Sequence, residues 1–261
     1  MAGADLFTQL INQYIAVFAS YFGQLLEWGK WLFYHFSVIA IVWLCLWRAF
    51  DNQSIVETMP DFLKEFFLIS FFYTIMINAP AWLSSIVDTA NSMGQSLTHQ
   101  QSDPASIIQQ GLTIANLILA PVKNSGAANL SIGAMLIMAA YWATLGAFIA
   151  VGLNLAITLL ATTFFVSLSG LCLAFGTFSA TRNIARRTLE MVIGSSFKLL
   201  ALYIVIYAGA AIFTELANYL PTDKVSTFDV YGWTIAIVLL FCLASYRLPK
   251  LVMQLFDGGL L

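Results

Sequence analysis

The sequence predicts an all-α fold: a polytopic transmembrane helical bundle of about five spans, preceded by an amphipathic helix, with the amino terminus out and the carboxyl terminus in. Three observations carry this. Hydrophobic residues make up 60% of the 261 positions and charged residues 9%, far below the roughly 25% charged of a soluble domain. Mean hydropathy is +0.84. From Asn124 to Thr181 there is no Asp, Glu, Lys, Arg or His, and the next residue opens a basic cluster, Arg182, Arg186 and Arg187. A net charge of -2 offers no global basic field for nucleic acid. Cys45, Cys172 and Cys242 each fall in an apolar run, where a thiol behaves as a small hydrophobe, so neither a disulfide nor a metal site is read from them.

Residues 1–30 lack the basic opening of a cleaved signal peptide. They read as an amphipathic helix on the outer side, because Phe7, Leu10, Ile11, Tyr14, Phe18, Tyr21, Phe22 and Leu25 recur at three- and four-residue spacing with polar residues between. Residues 31–82 hold the first two spans. The first, Trp31 to Phe50, is bracketed by Trp28, Trp31, Trp43, Trp47 and Arg48, residue types that favour bilayer interfaces. His35, near its outer end, is expected to be a hydrogen-bonded interfacial residue rather than a ligand. After a polar link with Pro60, the second span runs from Phe62 to Trp82, with Lys64 and Glu65 snorkelling at its start. Residues 83–129 are a long outer loop, Gln-rich around His99. Its apolar part, Ile107 to Leu119, is short for a span and suits a re-entrant or interfacial helix ended by Pro121.

Residues 130–261 hold the remaining spans. A bilayer core about 30 Å thick takes roughly 20 helical residues, so the charge-free run fits either two spans or one span and a segment that dips in and returns. Charge asymmetry separates the two. A single crossing gathers Arg48, Lys64, Arg182, Arg186, Arg187, Arg247 and Lys250 on the cytoplasmic side and leaves Lys30, Lys123 and Lys224 outside; a double crossing reverses that bias. The single crossing is preferred. Spans then fall near Leu130 to Leu155, Leu189 to Ala217 and Val230 to Tyr246, followed by a short cytoplasmic tail. A re-entrant or buried irregular segment lies near 156–178, where Thr162, Thr163, Ser167 and Ser169 satisfy freed backbone groups.

Four small residues, Ala139, Ala143, Gly146 and Ala147, form a stripe suited to helix packing or oligomer contact. Lys198, near mid-bilayer, is the intramembrane charge; one lysine without a matching carboxylate at that depth reads as snorkelling or locally paired in preference to a proton relay. Arg182, Arg186 and Arg187 read either as topological anchors or as a docking site for a cytoplasmic partner. No G-x-x-x-x-G-K-[ST] loop, H-E-x-x-H helix, G-x-S-x-G elbow or Cys/His cluster at metal spacing is present. Catalytic, cofactor and metal residues are therefore none, and a non-enzyme is expected.

The stretch Leu171-Cys-Leu-Ala-Phe-Gly176, followed by Thr181-Arg182 and then Lys198, resembles the signature of the TrbL-type conjugal transfer proteins, polytopic inner-membrane components of type IV secretion systems. Trp43 and Trp47 in the first span, Gly94 after Asp88, and Leu248-Pro249-Lys250 running to Gly258 fit the same resemblance. It implies a multi-pass protein of the bacterial inner membrane with residues 83–129 in the periplasm. It implies assembly as a homo-oligomer, a pentameric ring, beneath a pilus or stalk. The implied partners are the pilin, the pilus-tip minor pilin, a bitopic scaffold protein and the secretion ATPases, with membrane lipids around the ring and single-stranded DNA in transit as further contacts. Many members carry a long cytoplasmic tail, whereas this sequence stops at Leu261. The implied role is a scaffold or channel component for transfer of DNA or effector protein; the alternative is a small-solute membrane channel or transporter acting alone.

Topology is directly measurable. Single cysteines near Gln100 and Asp223 are expected to react with an impermeant thiol reagent added outside, and cysteines near Asn52, Asn183 and Gly258 to be protected. Outside labelling at Asn183 would establish two crossings by the charge-free run.

Overall fold

Long apolar runs without a strong breaker become long helices. The computed structural model describes residues 2–50, 55–98, 104–124, 132–219 and 228–256. These form helices α1 (Ala2–Phe50), α2 (Ile55–Thr98), α3 (Pro104–Asn124), α4 (Ile132–Cys172), α5 (Arg182–Tyr219) and α6 (Phe228–Phe256), with a 3-10 turn at Leu173–Gly176. Each of the six contains a stretch long and apolar enough to cross a membrane, and there is no strand among the described residues. The chain is an all-α, multi-pass membrane protein.

Helix lengths differ from the sequence reading in an instructive way. Residues 1–30 and 31–50 are not separate elements, because α1 is a single rod of 49 residues, about 74 Å at 1.5 Å per residue. Nothing between Glu27 and Trp31 breaks it, since a lone helical glycine costs only about 1 kcal/mol relative to alanine. Helix α2 has 44 residues and continues past Trp82 to Thr98, well into the expected loop. Helix α3 carries Pro121 inside it and adds a sixth stretch of span length, Pro104–Val122, where a shorter re-entrant helix was expected. His99 and Asp103 lie outside the described residues.

The irregular segment expected near 156–178 is mostly regular. Helix α4 runs unbroken for 41 residues to Cys172. Ser167 and Ser169 do not mark a break, because each reaches a carbonyl of its own helix: Ser169 Oγ donates to Val166 O at 2.6 Å and Ser167 Oγ lies 2.9 Å from Thr163 O. An unbroken helix reverses nowhere, so α4 crosses a membrane at most once.

The described residues group into two compact units, to both of which α2, α4 and α5 contribute. One unit comprises chiefly Val87–Leu159 and Phe197–Leu255. Its core is a triangle of Phe148, Phe213 and Phe241 with ring centroids 4.8, 5.2 and 5.6 Å apart, surrounded by Ile107, Ile118, Ile137, Leu155 and Leu202. Helix α3 comes close to α4 through Gly152, where an added Cβ would stand 2.8 Å from Ile108 and 3.0 Å from the Pro104 carbonyl. Asn154 Nδ2 donates to the Ser245 carbonyl at 3.0 Å and ties α4 to α6.

The other unit comprises chiefly Gln13–Ile86 and Leu160–Ser196. Its core joins Phe33 of α1, Phe72, Ile75 and Met76 of α2, Leu173 and Ala174 of the 3-10 turn, and Ala185 of α5. Helix α1 touches α4 backbone to backbone, a Cβ on Gly29 overlapping the Gly170 carbonyl oxygen. One turn earlier on α4, Ser167 Oγ lies 3.0 Å from Phe18 O, and Phe18 meets Phe164 edge-on at 5.8 Å. In lipid, close approach of small residues supplies the packing that hydrophobic exclusion supplies in water.

Two glycines of α1 therefore behave oppositely. Gly29→Ala is expected to destabilise by about 1–3 kcal/mol through overpacking. Gly23→Ala, with open space around the new methyl, is expected to be neutral or to stabilise by up to about 1 kcal/mol. Denaturant titration of the detergent-purified protein reads both.

Candidate functional site

The conspicuous polar arrangement among the described residues is a set of four charges at the junction of α1, α2 and α5. Asp61 and Glu65 are one helical turn apart and share a face of α2. Arg48, in the last turn of α1, pairs with Asp61. Arg182, the first residue of α5, donates from Nη2 to Glu65 Oε1 at 2.5 Å. The Arg182 and Glu65 side chains are 29% and 16% exposed, a setting where each charge depends on the other.

Local backbone chemistry fixes Arg182 in this position. The chain leaves α4 through Leu173–Gly176 and reverses over residues 177–181. Carbonyls freed there are taken up by side chains: Thr177 Oγ1 donates to Ala174 O at 3.2 Å, Thr181 Oγ1 to Phe175 O at 2.8 Å, and Arg182 Nε to Gly176 O at 3.3 Å. Backbone bonds from Thr181 and Arg182 to Phe178 O complete the turn. Gly176 packs against the Phe72 ring, 2.6 Å from where a Cβ would lie.

The three arginines read together from the sequence separate in the structure. Arg182 is held inside its unit, Arg186 pairs with Glu190 on the exposed surface at 3.0 Å, and Arg187 is exposed with no ion pair among the described residues. Arg182 and Arg186 are one helical turn apart on α5, yet the first is paired with Glu65 of α2 and the second with Glu190 of its own helix. Glu65, read only as a snorkelling residue, is the missed partner, and its spacing of four from Asp61 was the available signal. The hydroxyls that satisfy the turn are Thr177 and Thr181 rather than Thr162, Thr163, Ser167 and Ser169.

The small-residue stripe also divides. Ala147 is buried in the core around Phe148, whereas Ala139 and Gly146 are exposed, Ala143 is half-buried, and Gly146 has open space around it. Lys198 is half-buried on α5 and makes no ion pair among the described residues. His35 hydrogen-bonds the Trp31 carbonyl at 2.7 Å. No group of three His, Cys, Asp or Glu that could hold a metal occurs among the described residues.

The Arg182–Glu65 pair predicts a charge-specific stability effect. Glu65→Gln is expected to cost about 1–3 kcal/mol, since removing one partner of a part-buried pair leaves the other charge poorly compensated. The exchange Glu65→Arg with Arg182→Glu is expected to recover part of the loss, measured by a double-mutant cycle of unfolding in detergent.

Comparison with known proteins bears on the same segment. A model of the TrbL/VirB6 plasmid conjugal transfer protein family matches residues 37–247, which include all four charges of the cluster, the turn and Lys198. A curated relative, the probable conjugal transfer protein TrbL of Sinorhizobium fredii (strain NBRC 101917 / NGR234), is 24% identical over 264 residues, covering 97% of this chain. The chain spans 63% of that relative's length. With most of its length matched by the family model, and with the long apolar helices described above, the chain belongs to the TrbL/VirB6 family of plasmid conjugal transfer proteins.

Proposed function

We infer that this chain is a non-enzymatic inner-membrane scaffold or channel component of a type IV secretion system, supporting pilus or stalk assembly and the transfer of DNA or effector protein. The match to the conjugal transfer family over residues 37–247 carries this reading. Helix length supports it. Helices α1, α2, α4 and α5 have 49, 44, 41 and 38 residues, whereas a bilayer core needs roughly 20. Rods of that length reach well beyond the hydrocarbon, as a scaffold between membrane and periplasm requires. Energy for transfer comes from partner ATPases, since the sequence carries no nucleotide-binding loop.

A parity argument supports an amino terminus outside and a carboxyl terminus inside. The Glu65–Arg182 pair brings the first turns of α2 and the start of α5 to one level. An even number of crossings must separate them, and α2 and α4 provide two. Helix α3 then stays on one side without crossing, which leaves five crossings and keeps the arginines cytoplasmic. Residues 83–129 fall in the periplasm in this arrangement, with residues 1–30 on the same side.

The assembly is a homo-oligomer, a ring of five copies. It contacts pilin and the tip minor pilin outside, the bitopic scaffold protein within the membrane, and the ATPases through Arg186 and Arg187 inside. Single-stranded DNA is a candidate cargo along it. The stripe of exposed Ala139 and Gly146 with half-buried Ala143 is the proposed contact between copies.

Gly146→Leu tests that contact. A Cβ added at Gly146 would meet nothing within 4 Å among the described residues, so the variant is expected to fold and insert, while the oligomer seen by crosslinking falls at least tenfold and transfer with it. Arg186→Lys with Arg187→Lys tests the docking role: conjugal transfer at matched membrane levels should drop if bidentate recognition of partner carboxylates is required, and should be unchanged if the residues only anchor the helix.

A further inference from the structure

A cleft of about 330 Å³ opens beside the charge cluster, in the unit that contains Gln13–Ile86. One wall is apolar, formed by Ala40, Trp43, Leu44 and Trp47 of α1. The Trp43 and Trp47 rings stack with centroids 6.4 Å apart at 20°, and both residues are more than half exposed. The remaining lining residues are Arg48, Glu65, Phe178 and Ser179, three of them polar or charged. The volume lies at the lower end of the roughly 300–1,000 Å³ of ligand sites, enough for a headgroup and its glycerol but not for whole acyl chains.

We propose that this cleft is a phospholipid headgroup site selective for a zwitterionic amine headgroup, its phosphate toward Arg48 and its ammonium toward Glu65 and the tryptophan faces. Three observations commit it to that occupant. Tryptophan and arginine at the end of an apolar helix mark the bilayer interface, where lipid headgroups are the surrounding medium. The four charges of the cluster, Arg48, Arg182, Asp61 and Glu65, cancel among themselves, and the cleft lining itself holds one charge of each sign, Arg48 and Glu65. Stacked indole rings are the side chains that best attract an ammonium. The open apolar wall leads acyl chains away along α1. A lipid held there would brace the α1–α2–α5 junction from its outer side.

The test is native mass spectrometry of the full chain in detergent, offered an equimolar mixture of phosphatidylethanolamine and phosphatidylglycerol. One phosphatidylethanolamine per chain is expected, preferred about tenfold, equivalent to 1.4 kcal/mol. Ser179→Trp, at an exposed rim position, fills the cleft without removing a charge and should abolish the preference. Trp47→Ala should weaken it severalfold, whereas Trp142→Ala, 62% exposed on α4, should leave it unchanged. Equal retention of both lipids, no retained lipid, or an undiminished preference in both Ser179→Trp and Trp47→Ala overturns the proposal. So does a photoreactive residue at Trp43 that crosslinks to protein instead of lipid in intact membranes.

Discussion

Backbone groups in hydrocarbon have no water to bond, so each must find a partner within the protein, and that constraint governs where this chain is able to turn. Through the charge-free run it stays helical for 41 residues. When it leaves the helix, the break is confined to a 3-10 turn and a short reversal whose carbonyls are covered by Thr177, Thr181 and Arg182. Leu173, Ala174, Gly176 and Thr177 are buried at this point, so non-helical backbone is covered by protein. Every other helix of the unit that contains the turn is packed in relation to it, through Phe33, Phe72, Met76 and Ala185.

Arg182 links that constraint to the electrostatics of the junction. One side chain closes the turn through Gly176 O and neutralises Glu65. With Arg48 and Asp61 it makes a set of two positive and two negative charges that draws α1, α2 and α5 together. Such pairs gain little over apolar packing of equal volume, but they penalise any register in which one charge is stranded. A specificity role for the cluster follows from that asymmetry. Bulk cohesion comes instead from close contacts, Gly29 on Gly170 and the phenylalanine triangle of Phe148, Phe213 and Phe241.

The outer surface is consistent with a protein that meets both lipid and other subunits. Trp28, Trp31, Tyr34, Trp43 and Trp47 all project from α1 with more than half their surface exposed. Aromatic side chains with a polar edge suit interfaces where one end is apolar and the other wet. Together with helices too long for the bilayer alone, this surface fits a component whose outward contacts matter as much as its own core.

The sequence by itself determined that the chain is helical and multi-pass, because the lack of charge over long runs leaves no other way to satisfy the backbone in a membrane. It also pointed to the family, through short motifs around Leu171–Arg182 that the family model then covered. Helix ends were less legible. Pro121 looks like an end in a linear reading, yet α3 continues through it to Asn124, and α1 runs unbroken through Gly29 where it packs on Gly170. Only tertiary structure decided that Ala147 faces the core while Gly146 faces outward, and that Arg182 turns inward to Glu65 while Arg186 stays at the surface. Spacing along one helix defines which residues share a face; which face is covered, and by what charge, depends on residues more than 100 positions away.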